Sequence, residues 1–138
     1  MRRYLVVANR TLPGPHLSQF VTDCLGAGTC HFDIVVPATP LPGHWVSDVD
    51  EEHRMARERL EETLAAFRAL GASAEGWVTD PHPIAAVSDA LRGRDYDEIV
   101  VSTLPPGASR WLRMDLPSRL ERLTAVPVTH LVAEPAHA

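Results

Sequence analysis

The sequence predicts an α/β fold: a doubly wound sheet of five parallel strands with helices on both faces. Three observations carry this. Five short apolar runs alternate with longer segments of helical periodicity, and such alternation builds a parallel sheet. Several runs are nearly continuous in apolar residues, as strands covered on both faces must be. The twelve prolines fall mostly in the gaps between runs, where turns belong. At 138 residues the chain reads as a single domain over 1–138. It is long enough to bury roughly 65–70% of its unfolded surface.

The first strand is expected at residues 4–8, Tyr-Leu-Val-Val-Ala. A helix over 16–25 follows, with Phe20, Val21 and Leu25 as its apolar positions. The second strand covers 32–36. The strongest helix covers 50–70, where Ala56, Leu60, Leu64 and Phe67 recur at helical spacing on one face. Glu51, Glu52, Arg57, Glu58, Glu61 and Glu62 form its solvated face. Ser47 and Asp50 read as signals of its N-terminus, and Gly71 as its C-cap. The third strand lies at 74–78. The helix over 83–92 carries Ile84, Val87 and Leu91 on one side, begins on a proline and ends at Gly93. The fourth strand lies at 98–102. Residues 109–123 are helical in pattern, but Pro117 must break them. This leaves a short turn, then a helix capped near Asp115, with Leu116, Leu120 and Leu123 toward the core. The last strand is 128–132.

Composition narrows the chemistry. The net charge is −5, which argues against a nucleic-acid partner. All 13 basic residues are Arg, which excludes Schiff-base chemistry and a Walker-type phosphate lysine. Cys24 and Cys30 have no zinc spacing and read as small apolar residues. No apolar run reaches the roughly 18 residues needed to span a membrane, and the cytoplasm is the expected compartment.

In a doubly wound sheet, ligands bind outside the carboxyl ends of the strands. The candidate loops are 9–15, 37–49, 80–83 and 103–117. In the fourth of these, Arg110 and Arg113 suit anions, although Asp115 is a ready ion-pair partner for either. Trp111 between them reads as core or interface. Ser102, Thr103 and Ser109 bring hydroxyls to this edge, but no G-x-S-x-G elbow surrounds them. The seven histidines include no i, i+4 pair of the H-E-x-x-H kind. They read as exposed loop residues. His82, and His44 with Asp48 and Asp50, are the candidates for acid–base work. In the 37–49 loop, Trp45 and Val46 are placed to fold over the cleft.

The closing segments resemble the universal stress protein family. Asp97-Glu98-Ile99-Val100-Val101-Ser102 is similar to its D-x-I-V-x-G strand, and Val126-Pro127-Val128-Thr129-His130-Leu131-Val132 to its C-P-V-x-V-V strand. The opening Tyr4-Leu5-Val6-Val7-Ala8-Asn9 is similar to I-L-V-A-V-D. The resemblance implies a flavodoxin-like, Rossmann-like strand order, 3-2-1-4-5, and a homodimer through the last strand. It also implies a nucleotide loop, G-x2-G-x9-G-[S/T], of which only the spacing is kept. Ser102, Pro105, Asp115 and Leu116 stand at its key positions, and Asn9 stands where an Asp is usual.

Pro105 and Pro106 have no N–H to offer a phosphate. A carboxylate at Asp115 would cap its own helix and repel an anion there. The loop is therefore read as packed shut and ATP as not tightly bound. ATP in a changed geometry, or another small ligand, is the alternative. The candidate cleft positions are Asn9, Val36, Ser102, Thr103, Gly107, Ser109, Arg110 and Asp115. The function expected is that of a non-catalytic, stress-related binding or regulatory homodimer. The rivals are an adenine-nucleotide-binding relative, a small enzyme using strand-end His and Asp residues, and a structural interaction module.

Overall fold

The structure, a computed structural model, describes residues 1–38 and 46–133, the side chains of 46–49 excepted. In chain order the elements are β1 (Arg2–Val7), α1 (Pro15–Ala27), β2 (Cys30–Pro37), α2 (Val46–Ala69), β3 (Ser73–Thr79) and α3 (Pro83–Gly93). They continue with β4 (Glu98–Thr103), α4 (Arg110–Arg113), α5 (Leu116–Leu123) and β5 (Val128–Val132). The five strands form one sheet in the order β3-β2-β1-β4-β5. Every neighbouring pair is parallel, so the expected fold class and strand order both hold.

The period of two along each strand divides the core. Tyr4, Val6, Phe32, Ile34, Val36 and Val100 face one layer, against Leu17 and Val21 of α1 and Ala56, Leu60 and Phe67 of α2. Phe32 stacks on Tyr4 at 4.9 Å and meets Phe67 edge-on at 5.4 Å. Leu5, Val7, Val35, Ile99 and Val101 face the other layer, with Val87 and Ala90 of α3 and Leu116 and Leu120 of α5. The helix α2 lies close on the sheet. A Cβ at Gly76 would stand 2.6 Å from Leu60 and 2.7 Å from the Ile34 carbonyl, so a side chain there would push α2 outward.

Several expectations need correction. The helix α2 begins at Val46 rather than near Asp50, so Ser47 lies within it. Glu52 belongs to the buried side of α2, not to its solvated face. Its Oε1 lies 3.5 Å from Arg10 Nη2, and its Oε2 is buried with no hydrogen-bond partner among the described residues. Leu123, expected inward, is 43% exposed, because α5 ends there. Pro117 sits in the first turn of α5, where its missing N–H costs nothing. No helix among the described residues is long and apolar enough to cross a membrane.

Candidate functional site

The strand order reverses at β1: β2 lies on one side and β4 on the other. The crevice outside the carboxyl ends of β1 and β4 is the switch point. The expected site residues from β1 and β4 gather there, but each is held by another part of the chain. Asn9 is buried; its Nδ2 donates to the Pro37 carbonyl at 2.9 Å and its Oδ1 accepts from Arg59 Nη1 at 2.8 Å. It ties the end of β1 to the end of β2 and to α2. Ser102 is 1% exposed, with its Oγ 2.6 Å from Thr11 Oγ1 and 2.7 Å from His16 Nε2. That pair of contacts draws the β1 loop and α1 onto β4. Thr103 Oγ1 lies 2.7 Å from His130 Nε2 on β5.

The following loop closes on itself. The Pro105 carbonyl accepts from the amides of Ala108 and Ser109, both at 3.1 Å. Gly107 takes φ +91°, in the left-handed region that favours glycine. Ser109 is buried and caps α4 by accepting from the Leu112 amide at 3.2 Å. Gly107, Arg110, Arg113 and Asp115 are exposed, and Trp111 packs partly on the core. Val36 is fully buried in the layer under α1 and α2, so it lines the core rather than an open cleft. Among the described residues no ion pair joins Asp115 to Arg110 or Arg113, contrary to the sequence expectation.

The expected cap at Asp115 is also absent. Its side chain makes no capping hydrogen bond, and its backbone is left-handed, φ 56° and ψ 43°. At Asp115, one of the positions where the resembled loop pattern has a glycine, the chain takes a conformation that glycine adopts freely. Three small terms meet in Asp115→Gly: relief of the left-handed backbone, lost helix-dipole compensation, and greater freedom of the unfolded chain. They offset one another, so stability is expected to change by no more than about 0.5 kcal/mol. A urea unfolding curve checks this; a loss above about 1 kcal/mol would restore the cap.

Not all histidines are the exposed loop residues expected. His16 and His130 hold hydroxyls at the carboxyl edge, as above. His82 is exposed and stands before α3, in a shallow cleft of about 470 Å³ lined also by His53, Trp77, Asp80 and Asp89. Asp50 is exposed on α2. The acid–base role expected of His44 with Asp48, and the cover expected from Trp45 and Val46, rest on residues or side chains outside the described ones.

The opposite, amino-terminal end of the sheet holds what sequence reasoning missed. Asp33, in the middle of β2, is 0% exposed. Its Oδ2 accepts from Tyr96 Oη at 2.6 Å, and its Oδ1 accepts from His31 Nε2 at 2.7 Å. Arg94 Nη1 reaches both oxygens, at 3.1 and 3.0 Å, and Glu75 Oε2 at 3.3 Å. His31 Nδ1 in turn lies 2.7 Å from Ser73 Oγ. Burial pushes the Asp33 carboxyl up, but hydrogen bonds from Tyr96 and His31 and the Arg94 charge outweigh it and hold it below the usual carboxylate range. Burial and the neighbouring Asp33 carboxylate hold the Tyr96 phenol well above its ordinary value. The signal in the sequence was the carboxylate inside the apolar run Phe32-Asp33-Ile34-Val35-Val36.

Comparison with known proteins rests on structure alone. No family model and no curated protein matches the chain. Solved structures do match over nearly its full length. A universal stress protein family member from Burkholderia pseudomallei aligns at 18% identity and TM-score 0.58, covering 94% of each chain. One from Arabidopsis thaliana with AMP bound aligns at 11% identity and TM-score 0.62, covering 97% of this chain and 93% of that one. One from Archaeoglobus fulgidus in complex with dAMP aligns at 15% identity and TM-score 0.53, covering 97% and 98%. With the sheet order and helix layers described above, the chain has the universal stress protein fold.

Proposed function

We propose that the protein is a stress-linked binding or regulatory homodimer whose strand-end cleft turns over no nucleotide and holds ATP only weakly. The reading extends to a single such domain in the cytoplasm. One observation carries it: the polar side chains at the switch point are spent on the protein itself. Asn9 is held by Pro37 and Arg59, and Ser102 by Thr11 and His16. A phosphate would have to displace buried hydrogen bonds there, and each buried group left unpaired costs about 1–3 kcal/mol. Pro105 and Pro106 offer no amide in return. Calorimetric titration with ATP and magnesium is expected to show no low-micromolar binding; finding it would refute the proposal.

A second reading, an adenine mononucleotide ligand, is favoured by the AMP and dAMP complexes among the solved relatives. The left-handed backbone at Asp115 also suits it. The same titration with AMP separates the two.

The homodimer rests on β5. It is an edge strand of the sheet, with Val132 41% exposed and Val128 and Leu131 only partly covered. An uncovered apolar edge pairs readily with another chain, and twofold symmetry is the commonest closure. Pro127, immediately before β5, limits further growth of the edge. Sedimentation at micromolar concentration is expected to give twice the 15.1 kDa chain mass. Leu131→Asp should give monomer or insoluble protein. A wild-type monomer would remove the dimer from the proposal.

A further inference from the structure

Ser73, His31 and Asp33 stand in line on two paired strands at the end of the sheet opposite the cleft. His31 and Ser73 are register partners across β2 and β3, and Asp33 follows His31 by two positions on the same face. The carboxylate of Asp33 can only accept, so His31 Nε2 carries a proton toward it at 2.7 Å. In the neutral ring Nδ1 then has a free lone pair, and it faces Ser73 Oγ at 2.7 Å. In that state the hydroxyl donates to it. Burial is graded along the line: Asp33 and His31 are buried and Ser73 is exposed. This is the order a nucleophile, its base and the base's orienting group require.

Strands hold the three groups more rigidly than loops would. Tyr96 and Arg94 fix the carboxylate from the far side. Arg94 also brings a guanidinium charge to Glu75, two residues from Ser73 along β3, about 6–7 Å on. The same His31, Asp33 and Glu75 offer ligand atoms within 4.8 Å of one another, as a cation site would. The Arg94 guanidinium already bridges the two carboxylates, so a metal ion would meet a positive charge there. The acyl-transfer arrangement is the one the geometry favours.

We propose that Ser73 is a nucleophile activated by His31 and Asp33, able to accept an acyl group from small, unhindered esters. Ser73 Oγ attacks the carbonyl carbon as its proton passes to His31 Nδ1. The ester C–O bond then breaks, and the alcohol leaves with that proton. Water then attacks the acyl carbon as His31 Nδ1 takes its proton; the acyl C–Oγ bond breaks, His31 returns the proton to Ser73 Oγ, and the carboxylic acid leaves. This activity goes beyond the regulatory reading and is independent of the nucleotide cleft.

A fluorophosphonate tests it, because serine displaces its fluoride to form a stable phosphonyl ester. The full-length protein, treated at neutral pH, digested and analysed by mass spectrometry, is expected to carry the adduct on Ser73. Ser73→Ala should lose it, and His31→Gln should form it at least about tenfold more slowly, since general-base help contributes about 10²–10⁴-fold. No adduct on Ser73, or an unchanged rate in folded His31→Gln, overturns the proposal. If His31→Gln does not fold, Ser73→Cys decides. Its thiol should alkylate with iodoacetamide well below the ordinary cysteine range near about 8.5, whereas an ordinary thiol profile overturns the proposal. ATP has no part in this experiment, so its outcome is separate from that of the titration above.

Discussion

Asp33→Ala is expected to destabilise the protein by about 3–5 kcal/mol, as losing one partner of a buried charged network does. The carboxylate is fully buried and is the shared acceptor for Tyr96, His31 and Arg94. Removing it strands a phenol and an imidazole in a site shaped around a charge, and leaves the Arg94 guanidinium to Glu75 and solvent. Stability of a domain this size is of order 5–15 kcal/mol, so the loss is a large share of the whole. Urea unfolding at neutral pH measures it; a loss below about 1 kcal/mol would mean that the network contributes little.

The same residue sets a pH dependence. The folded carboxyl is held below the usual range, and an unfolded aspartate titrates near about 3.9. The stabilisation it brings is therefore complete above that unfolded value. It is lost as pH falls further, through the lower folded value. Wild-type stability should decline below about pH 4, and the decline should be shallower in Asp33→Asn, which cannot titrate there. Equal slopes for the two proteins would show that Asp33 is not the group responsible.

Phe32→Ala is expected to cost about 3–5 kcal/mol, the usual range for emptying a buried aromatic position. Phe32 is fully buried at the centre of the layer under α1 and α2, stacked on Tyr4 and edge-on to Phe67. Tyr4 belongs to β1, Phe67 to α2 and Phe32 to β2, so one side chain joins three elements. The urea midpoint should fall with little change in slope, as for a two-state loss of stability. A loss under about 1.5 kcal/mol would mean that the neighbours collapse into the space.

The order of elements and all five strands were legible in the sequence, because period-two burial and helical spacing are local properties of the chain. The strand order came from the family resemblance, since residue patterns alone do not say which strands are neighbours. Pro117 marked the break between α4 and α5 for an equally local reason, its missing N–H. Of the expected cleft residues, Asn9, Ser102 and Thr103 stand at the ends of β1 and β4 and Ser109 caps α4, but their bonding there was not legible. Asn9 meets Pro37 and Arg59, and Ser102 meets Thr11 and His16, across 28, 50, 91 and 86 residues of chain. The cap expected at Asp115 failed because a sequence does not state φ, and the left-handed backbone there carries no capping bond from the side chain. Glu52 looked solvated on a helical wheel, yet Arg10 and the packing of α2 on the sheet bury it. Local pattern alone thus settled the layers and which loops stand at the carboxyl ends of the strands. Tertiary structure alone decided that the cleft's polar groups satisfy one another, and that Ser73, His31 and Asp33 meet at the other end. Hydrogen bonds between side chains distant in sequence depend on register and packing, and neither has a local signature.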